Sequence, residues 1–350
     1  GRPGAGLCPV RGHSNVQGDR TMGINELPSE KMLDDIDRVF KIKSPRKHGY
    51  GVVETIKAMY EGDVKVFIAL GGNFAVATPD TPYTQEALKR CSLVVNIATK
   101  LNRSHLVCGK DALVLPCLGR TELDKQLKGN QAISVEDSMS NVHLSAGRNE
   151  PASKNLLSEP DIVARMAEAT LPDSKIKWRW YVEDYDRIRD SIEEVFEEFK
   201  DFNGRAYQPG GFHLIHPANV KVWNTPVGKA QFLITPLSQV YNDQENQFSA
   251  QYTKSKVYTL MTIRSHDQYN TTLYGLDDRY RGVFGQRRVL FINQQDIDEA
   301  GFVADQWVDI ESVFSDGVKR VVKSFRIVPY NIPPGSLAAY YPETNPLVAL

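Results

Sequence analysis

The chain has 350 residues, 41% of them hydrophobic and 24% charged, which describes an ordinary globular protein of about two domains. A formal net charge of −1 gives no reason to expect nucleic acid or a membrane surface as partner. No stretch is apolar for long enough to span a bilayer, and the first residues lack the basic-then-apolar order of a signal peptide.

Residues 1–30 read as a loop region built around Gly6-Leu7-Cys8-Pro9-Val10-Arg11-Gly12-His13-Ser14-Asn15, followed by a charged stretch up to His48. From Tyr50 the pattern turns α/β. Tyr50–Glu61 has helical spacing, Val64–Leu70 reads as a buried strand, and Gly71-Gly72-Asn73 ends it. A helix around Thr84–Arg90 leads to strands at Ser92–Ala98 and Ala112–Leu115. Strands alternating with helices imply parallel pairing, so residues 31–175 are expected to form a Rossmann-like lobe. Three strands make a thin lobe, and its other half is expected upstream of residue 1. Residues 124–158, rich in Ser, Asn, Gly and Lys, read as a surface excursion. Ser158-Glu159-Pro160 opens a helix through about Ala169, with proline in the favoured first turn.

A helical connector over 176–223 is expected to carry one helix from Val182 to Lys200, with Tyr185, Ile188, Ile192, Val195, Phe196 and Phe199 facing a core. Residues 224–350 read as mainly β. Strand candidates are Lys229–Thr235, Lys256–Thr262, Arg287–Asn293, Gln306–Ser312, Val318–Ile327 and Ser336–Tyr341, with one short helix near Asp296–Ala300. Six strands and little helix suggest a closed barrel, which removes unpaired edges.

The four cysteines, Cys8, Cys91, Cys108 and Cys117, include no C-x-x-C pair, so no iron–sulfur or zinc spacing is present. Cys91 and Cys117 sit in apolar surroundings that suit core thiols, and sparse unpatterned cysteine suits a reducing cytoplasm. Seven scattered histidines offer no H-x-x-x-H zinc spacing, and neither Ser104-His105 nor Ser265-His266 makes a nucleophile–base dyad by adjacency alone.

Arg11 is either an ordinary loop anchor or a clamp for a carboxylate, since its guanidinium presents a fixed fork of donors. His13 can donate, accept a proton or simply support the loop. Gly71, Gly72, Asn73 and Phe74 follow a strand, where α/β folds bind nucleotides, but they are not the G-x-G-x-x-G fingerprint of a nicotinamide dehydrogenase. Thr99, Lys100, Asn102 and Arg103 follow the next strand and would meet them at one sheet edge. The two cations there suit a pyrophosphate, or are surface basic residues. The run Thr262, Arg264, His266, Gln268, Tyr269, Asn270 and Thr271 is a dense polar cluster, able to pair with amide-like ring edges or to form a hydrogen-bonded surface loop.

Five segments, from the Arg11 loop through Gly71–Phe74, Thr99–Arg103, Asn224–Phe232 with Thr262–Thr271, and Pro334–Asn345, together resemble the molybdopterin-dependent oxidoreductases. Within these the chain is similar to the carboxy-terminal half of formate dehydrogenase-like α subunits of the dimethyl sulfoxide reductase superfamily. The resemblance implies a double-psi-type β-barrel over 224–350 and a bis(molybdopterin guanine dinucleotide) molybdenum cofactor. It implies Arg11 and His13 as catalytic residues, and Gly12, Gly71, Gly72, Asn73, Phe74, Thr99, Lys100, Asn102, Arg103, the Thr262–Thr271 cluster and Asn345 as cofactor contacts. It further implies a 4Fe–4S cluster upstream of residue 1, a small anionic substrate and an electron-transfer partner protein. The piece alone is expected to be inactive. His13 stands where formate dehydrogenases more often carry glutamine, so the resemblance extends to the branch and not to formate as substrate. The alternative from another class is a non-catalytic Rossmann/β-barrel binding or assembly module.

Overall fold

The structure, a computed structural model, describes residues 15–215, 217–234 and 256–350. Two short helices come first, α1 (Val16–Thr21) and α2 (Glu30–Phe40). The second lies in the stretch read only as charged. Its signature is local: Ser29 caps it, its Oγ accepting from the Met32 amide at 3.3 Å, and its Arg38 Nη2 donates to the Glu194 carbonyl at 2.9 Å.

The α/β lobe follows, with α3 (Val52–Glu61), β1 (Val66–Leu70), α4 (Phe74–Ala77), α5 (Thr81–Arg90), β2 (Leu93–Ala98) and β3 (Asp111–Pro116). The three strands pair in parallel in the order β1-β2-β3, as their alternation with helices predicts. One face of the sheet buries Val94 against Ile56, Met59, Ala87 and Leu88 of α3 and α5. On the other face Val95 and Ile97 pack on Ile162. That second cover does not extend to β1, whose Val66, Ile68 and Leu70 stay about half exposed.

The 124–158 segment is more ordered than its polar composition predicts. It contains β4 (Ile133–Glu136) and β5 (Asn141–Ser145), an antiparallel pair. Next come α6 (Glu159–Thr170), α7 (Trp178–Val182), α8 (Asp186–Val195), α9 (Phe202–Ala206) and β6 (Phe212–His213), which completes the antiparallel sheet against β5. The expected single helix over 182–200 is thus broken after Val182. There the Tyr185 amide donates to Gln131 Oε1 at 2.8 Å instead of to its own helix, and the buried Tyr185 hydroxyl sits 2.8 Å from Ser158 Oγ and bonds Asp124.

The β lobe comprises β7 (Thr259–Ile263), β8 (Val289–Ile292), α10 (Gln294–Glu299), β9 (Trp307–Ser312), β10 (Arg320–Pro329) and β11 (Ser336–Tyr340). The strands form one mixed sheet in the order β9-β10-β8-β11-β7, parallel at β8–β10 and β7–β11 and antiparallel elsewhere. Among the described residues no pairing joins β9 to β7. Residues 229–234 form no strand, and Thr235 lies outside the described residues. The core of this lobe gathers Ile297, Phe325, Ile327 and Ala339 on one side of the sheet and Val289, Phe291 and Tyr340 on the other.

Among the described residues, no helix is long and apolar enough to cross a membrane. Cys91 and Cys117 are buried, where loss of hydration pushes their thiols up, while Cys108 is exposed.

Candidate functional site

Arg11, Gly12 and His13 lie outside the described residues. The rest of the nominated residues fall in two groups, one at the carboxyl ends of β1 and β2 and one beside β7.

In the first group Gly71 and Gly72 take φ of +71° and +77°, a region that glycine enters without steric cost. A Cβ on either would meet nothing within 4 Å, so the space in front of the turn is open. The Gly71 amide donates to the Ile97 carbonyl at 2.8 Å, holding the turn against β2. Asn73 and Asn102 brace it from below. Asn73 Oδ1 accepts from Ser104 Oγ at 2.8 Å, and Asn102 Nδ2 donates to the Gly72 carbonyl at 2.7 Å. His105 Nδ1 accepts from the Asn102 amide at 2.9 Å. The structure therefore brings Gly71–Asn73 and Thr99–Arg103 together, with the two asparagines spent on bracing. Ser104 and His105, read only as an unconvincing dyad, complete that brace; their signal was the Asn-x-Ser-His capping pattern. Phe74 packs on Phe67 with ring centroids 4.7 Å apart and belongs to the core. Thr99, Lys100 and Arg103 are exposed, and no carboxylate among the described residues pairs with either cation.

In the second group the polar cluster divides in two. Thr262, Arg264, His266 and Tyr269 are exposed, with Asn270 and Thr271 half-buried. Gln268 instead is buried, with Oε1 accepting from the Ser265 amide at 3.0 Å and Nε2 donating to the Asn270 and Tyr341 carbonyls at 2.6 Å each. It shapes the loop from inside. Its anchor is Arg287, buried and missed in the sequence, where it is one more charge at the start of an apolar strand. Arg287 donates to Gln268 Oε1 at 2.8 Å, Ser265 Oγ at 2.7 Å and Glu343 Oε1 at 2.7 Å. With all its neighbours satisfied, such a buried network rigidifies what it holds.

The lobes join at the end of α4, next to the second group. Tyr341 Oη lies 2.8 Å from Asn270 Oδ1 and 3.1 Å from the Ala77 carbonyl at the end of α4. Asn345, nominated as a cofactor contact, is buried and donates from Nδ2 to the Val76 carbonyl at 2.7 Å, so it ties the lobes together. Beside it Arg320 grips Asp80, from Nε at 3.0 Å and Nη2 at 2.5 Å. A depression of about 500 Å³, lined by Asp137, His143 and Tyr207 among others, lies at the antiparallel sheet and contains none of the nominated residues. Among the described residues no group of His, Cys, Asp and Glu is placed to hold a metal ion.

The donor set suits an elongated ligand with an anionic middle and heterocyclic ends. An open turn without Cβ atoms and two cations unpaired among the described residues have the chemistry a pyrophosphate takes. The hydroxyl, guanidinium, imidazole and amide groups of residues 262–271, which end in the small hairpin Gln268–Leu273, have the chemistry ring edges take.

Residues 258–348, the β lobe from just before β7 to the final turn, match the family described as molydopterin dinucleotide binding domain. The whole chain is 51% identical over 356 residues to an uncharacterized oxidoreductase of Mycobacterium tuberculosis, covering 44% of that protein. It is 44% identical over 352 residues to protein YdeP of Escherichia coli K12, again along all of this chain and 45% of that one. The chain thus spans less than half the length of these relatives. Acetylene hydratase from Pelobacter acetylenicus shares the fold at a TM-score of 0.52 and 13% identity, over 89% of this chain and 42% of that one.

Proposed function

We propose that the chain, whose β lobe matches the molydopterin dinucleotide binding domain, is part of a formate dehydrogenase-like molybdopterin oxidoreductase carrying a bis(molybdopterin guanine dinucleotide) molybdenum cofactor. The observation that carries this reading is that each lobe carries a ligand-suited surface, with Tyr341 bridging Asn270 to the end of α4 where the lobes join. The open Gly71–Gly72 turn stands on the α/β lobe, and the hairpin held by Arg287 and Gln268 stands on the dinucleotide-binding lobe. The β lobe, on this reading, is a double-psi-type barrel.

When bound, the cofactor supplies two-electron transfer to or from a small substrate. The chain's part is binding and orientation. Gly71 and Gly72 admit a pyrophosphate to the backbone, and Lys100 and Arg103 neutralise it. Thr262, Arg264, His266, Tyr269, Asn270 and Thr271 pair with ring edges. Arg11 holds a small anion by charge-assisted hydrogen bonds of about 1.5–3 kcal/mol each, and His13 holds or moves a proton beside it. The remaining length of the full protein would supply a 4Fe–4S cluster, passing electrons to a partner protein in the cytoplasm.

Metal and nucleotide analysis of the full-length protein, purified without oxygen, tests the reading. Near-stoichiometric molybdenum with guanine nucleotide released on denaturation supports it, and a folded protein with neither favours a binding module. In the loaded enzyme Arg11→Ala is expected to abolish turnover with molybdenum content intact. Unchanged turnover removes Arg11 from the mechanism.

A further inference from the structure

Building on that reading, we infer that Asp278 and Tyr280 are positioning residues that present His266 as a hydrogen-bond acceptor to a heterocyclic N–H of the bound dinucleotide. Asp278 is 1% exposed, unusual for a carboxylate beside a surface loop. Its Oδ2 accepts from Arg281 Nη1 at 2.6 Å and from Tyr340 Oη at 2.8 Å, and its Oδ1 lies 3.0 Å from His266 Nδ1. Burial pushes this carboxyl up, but the hydrogen bonds from Tyr340, Arg281 and His266 outweigh it and hold it below the usual range. An ionised carboxylate only accepts, so it holds a proton on His266 Nδ1, and Nε2 is then the ring's acceptor in the singly protonated tautomer.

The ring is fixed in its plane as well. Tyr280 lies against it with centroids 4.0 Å apart and planes 31° from parallel, and Arg279 Nη2 holds the Tyr280 hydroxyl at 3.2 Å. His266 Nε2 has no partner among the described residues, and the side chain is 44% exposed. Oδ2 satisfies the buried Tyr340 hydroxyl and Arg281, which leaves Oδ1 to aim the surface imidazole. An aimed acceptor has its use in recognition. A neutral Nε2 selects an N–H, which the amide-like edges of pterin and guanine carry and a phosphate does not.

A double-mutant cycle on the full-length protein tests the inference, reading the rate at which guanine nucleotide is lost during dialysis, followed by acid release of what remains. His266→Ala is expected to speed the loss about tenfold, the weight of one hydrogen bond. Asp278→Asn and Tyr280→Leu should each speed it several-fold, yet add nothing in the His266→Ala background. Tyr280 is 62% exposed, so its variant folds even where Asp278→Asn does not. Equal effects of Tyr280→Leu and Asp278→Asn in both backgrounds would make these residues merely structural. An unchanged rate in His266→Ala removes the contact while leaving the cofactor reading standing. Wild-type protein free of guanine nucleotide overturns both.

Discussion

Removing Arg320 should open the seam between the lobes. The Asp80 and Arg320 side chains are each only 6% exposed, and Arg320 reaches Asp80 Oδ2 with two nitrogens, at 3.0 and 2.5 Å. Arg320 also pairs with Asp316 at 2.7 Å, but Asp316 is 31% exposed and can be rehydrated. In Arg320→Met the methionine fills much of the volume while the Asp80 carboxylate is left buried and unpaired. Breaking a buried pair from one side costs about 3–5 kcal/mol, which raises local opening by roughly 10²–10⁴-fold. Hydrogen exchange of the α5 and β10 amides in the full-length protein reads that opening directly. Asp80→Asn combined with Arg320→Met should recover much of the loss, because the orphaned charge is gone. If the double variant opens as readily as Arg320→Met, lost packing explains the effect. A loss under about 1 kcal/mol would place the pair in effectively solvated surroundings.

Gly72→Ala introduces a side chain at φ +77° with no neighbour to clash, so it should cost about 1–2 kcal/mol of stability from backbone strain alone. Its effect on guanine nucleotide retention should be larger than that, since the added methyl faces the open cradle; unaltered retention would take the turn out of the binding surface. Asp296, fully buried, accepts from Lys256 Nζ at 2.5 Å and the Gly335 amide at 2.7 Å. Burial pushes its carboxyl up, but these bonds prevail and hold it below the ordinary 3.8. A depressed carboxylate contributes stability that is complete above its unfolded pKa and is lost as pH falls through the folded one. Asp296→Asn should therefore lower stability at pH 7 and flatten the acid limb below about pH 4 in a series of denaturant midpoints, and parallel curves for the two proteins would contradict this.

Much of this protein was legible from short-range pattern. The apolar runs at Val64–Leu70 and Ser92–Ala98, with helices between them, encode a parallel sheet because each strand is marked within a few residues, though the burial expected of the first run fails at the half-exposed Val66, Ile68 and Leu70. Gly71-Gly72 announced a turn that needs positive φ, and Ser158-Glu159-Pro160 announced a capped helix start. Tertiary structure decided what local pattern does not encode. β5 pairs with the two-residue β6 almost seventy positions later, which polar composition conceals. Gln268 and Asn345 carry the same amide chemistry as a ligand contact, and only burial beside Arg287 and Val76 turns them into braces. Asp80 and Arg320 stand 240 residues apart, and His266 and Asp278 share no helical or strand register. Short-range spacing specifies an element through its own periodicity, but the partner of a side chain is chosen by which elements close over it, and that choice is made only when the lobes pack.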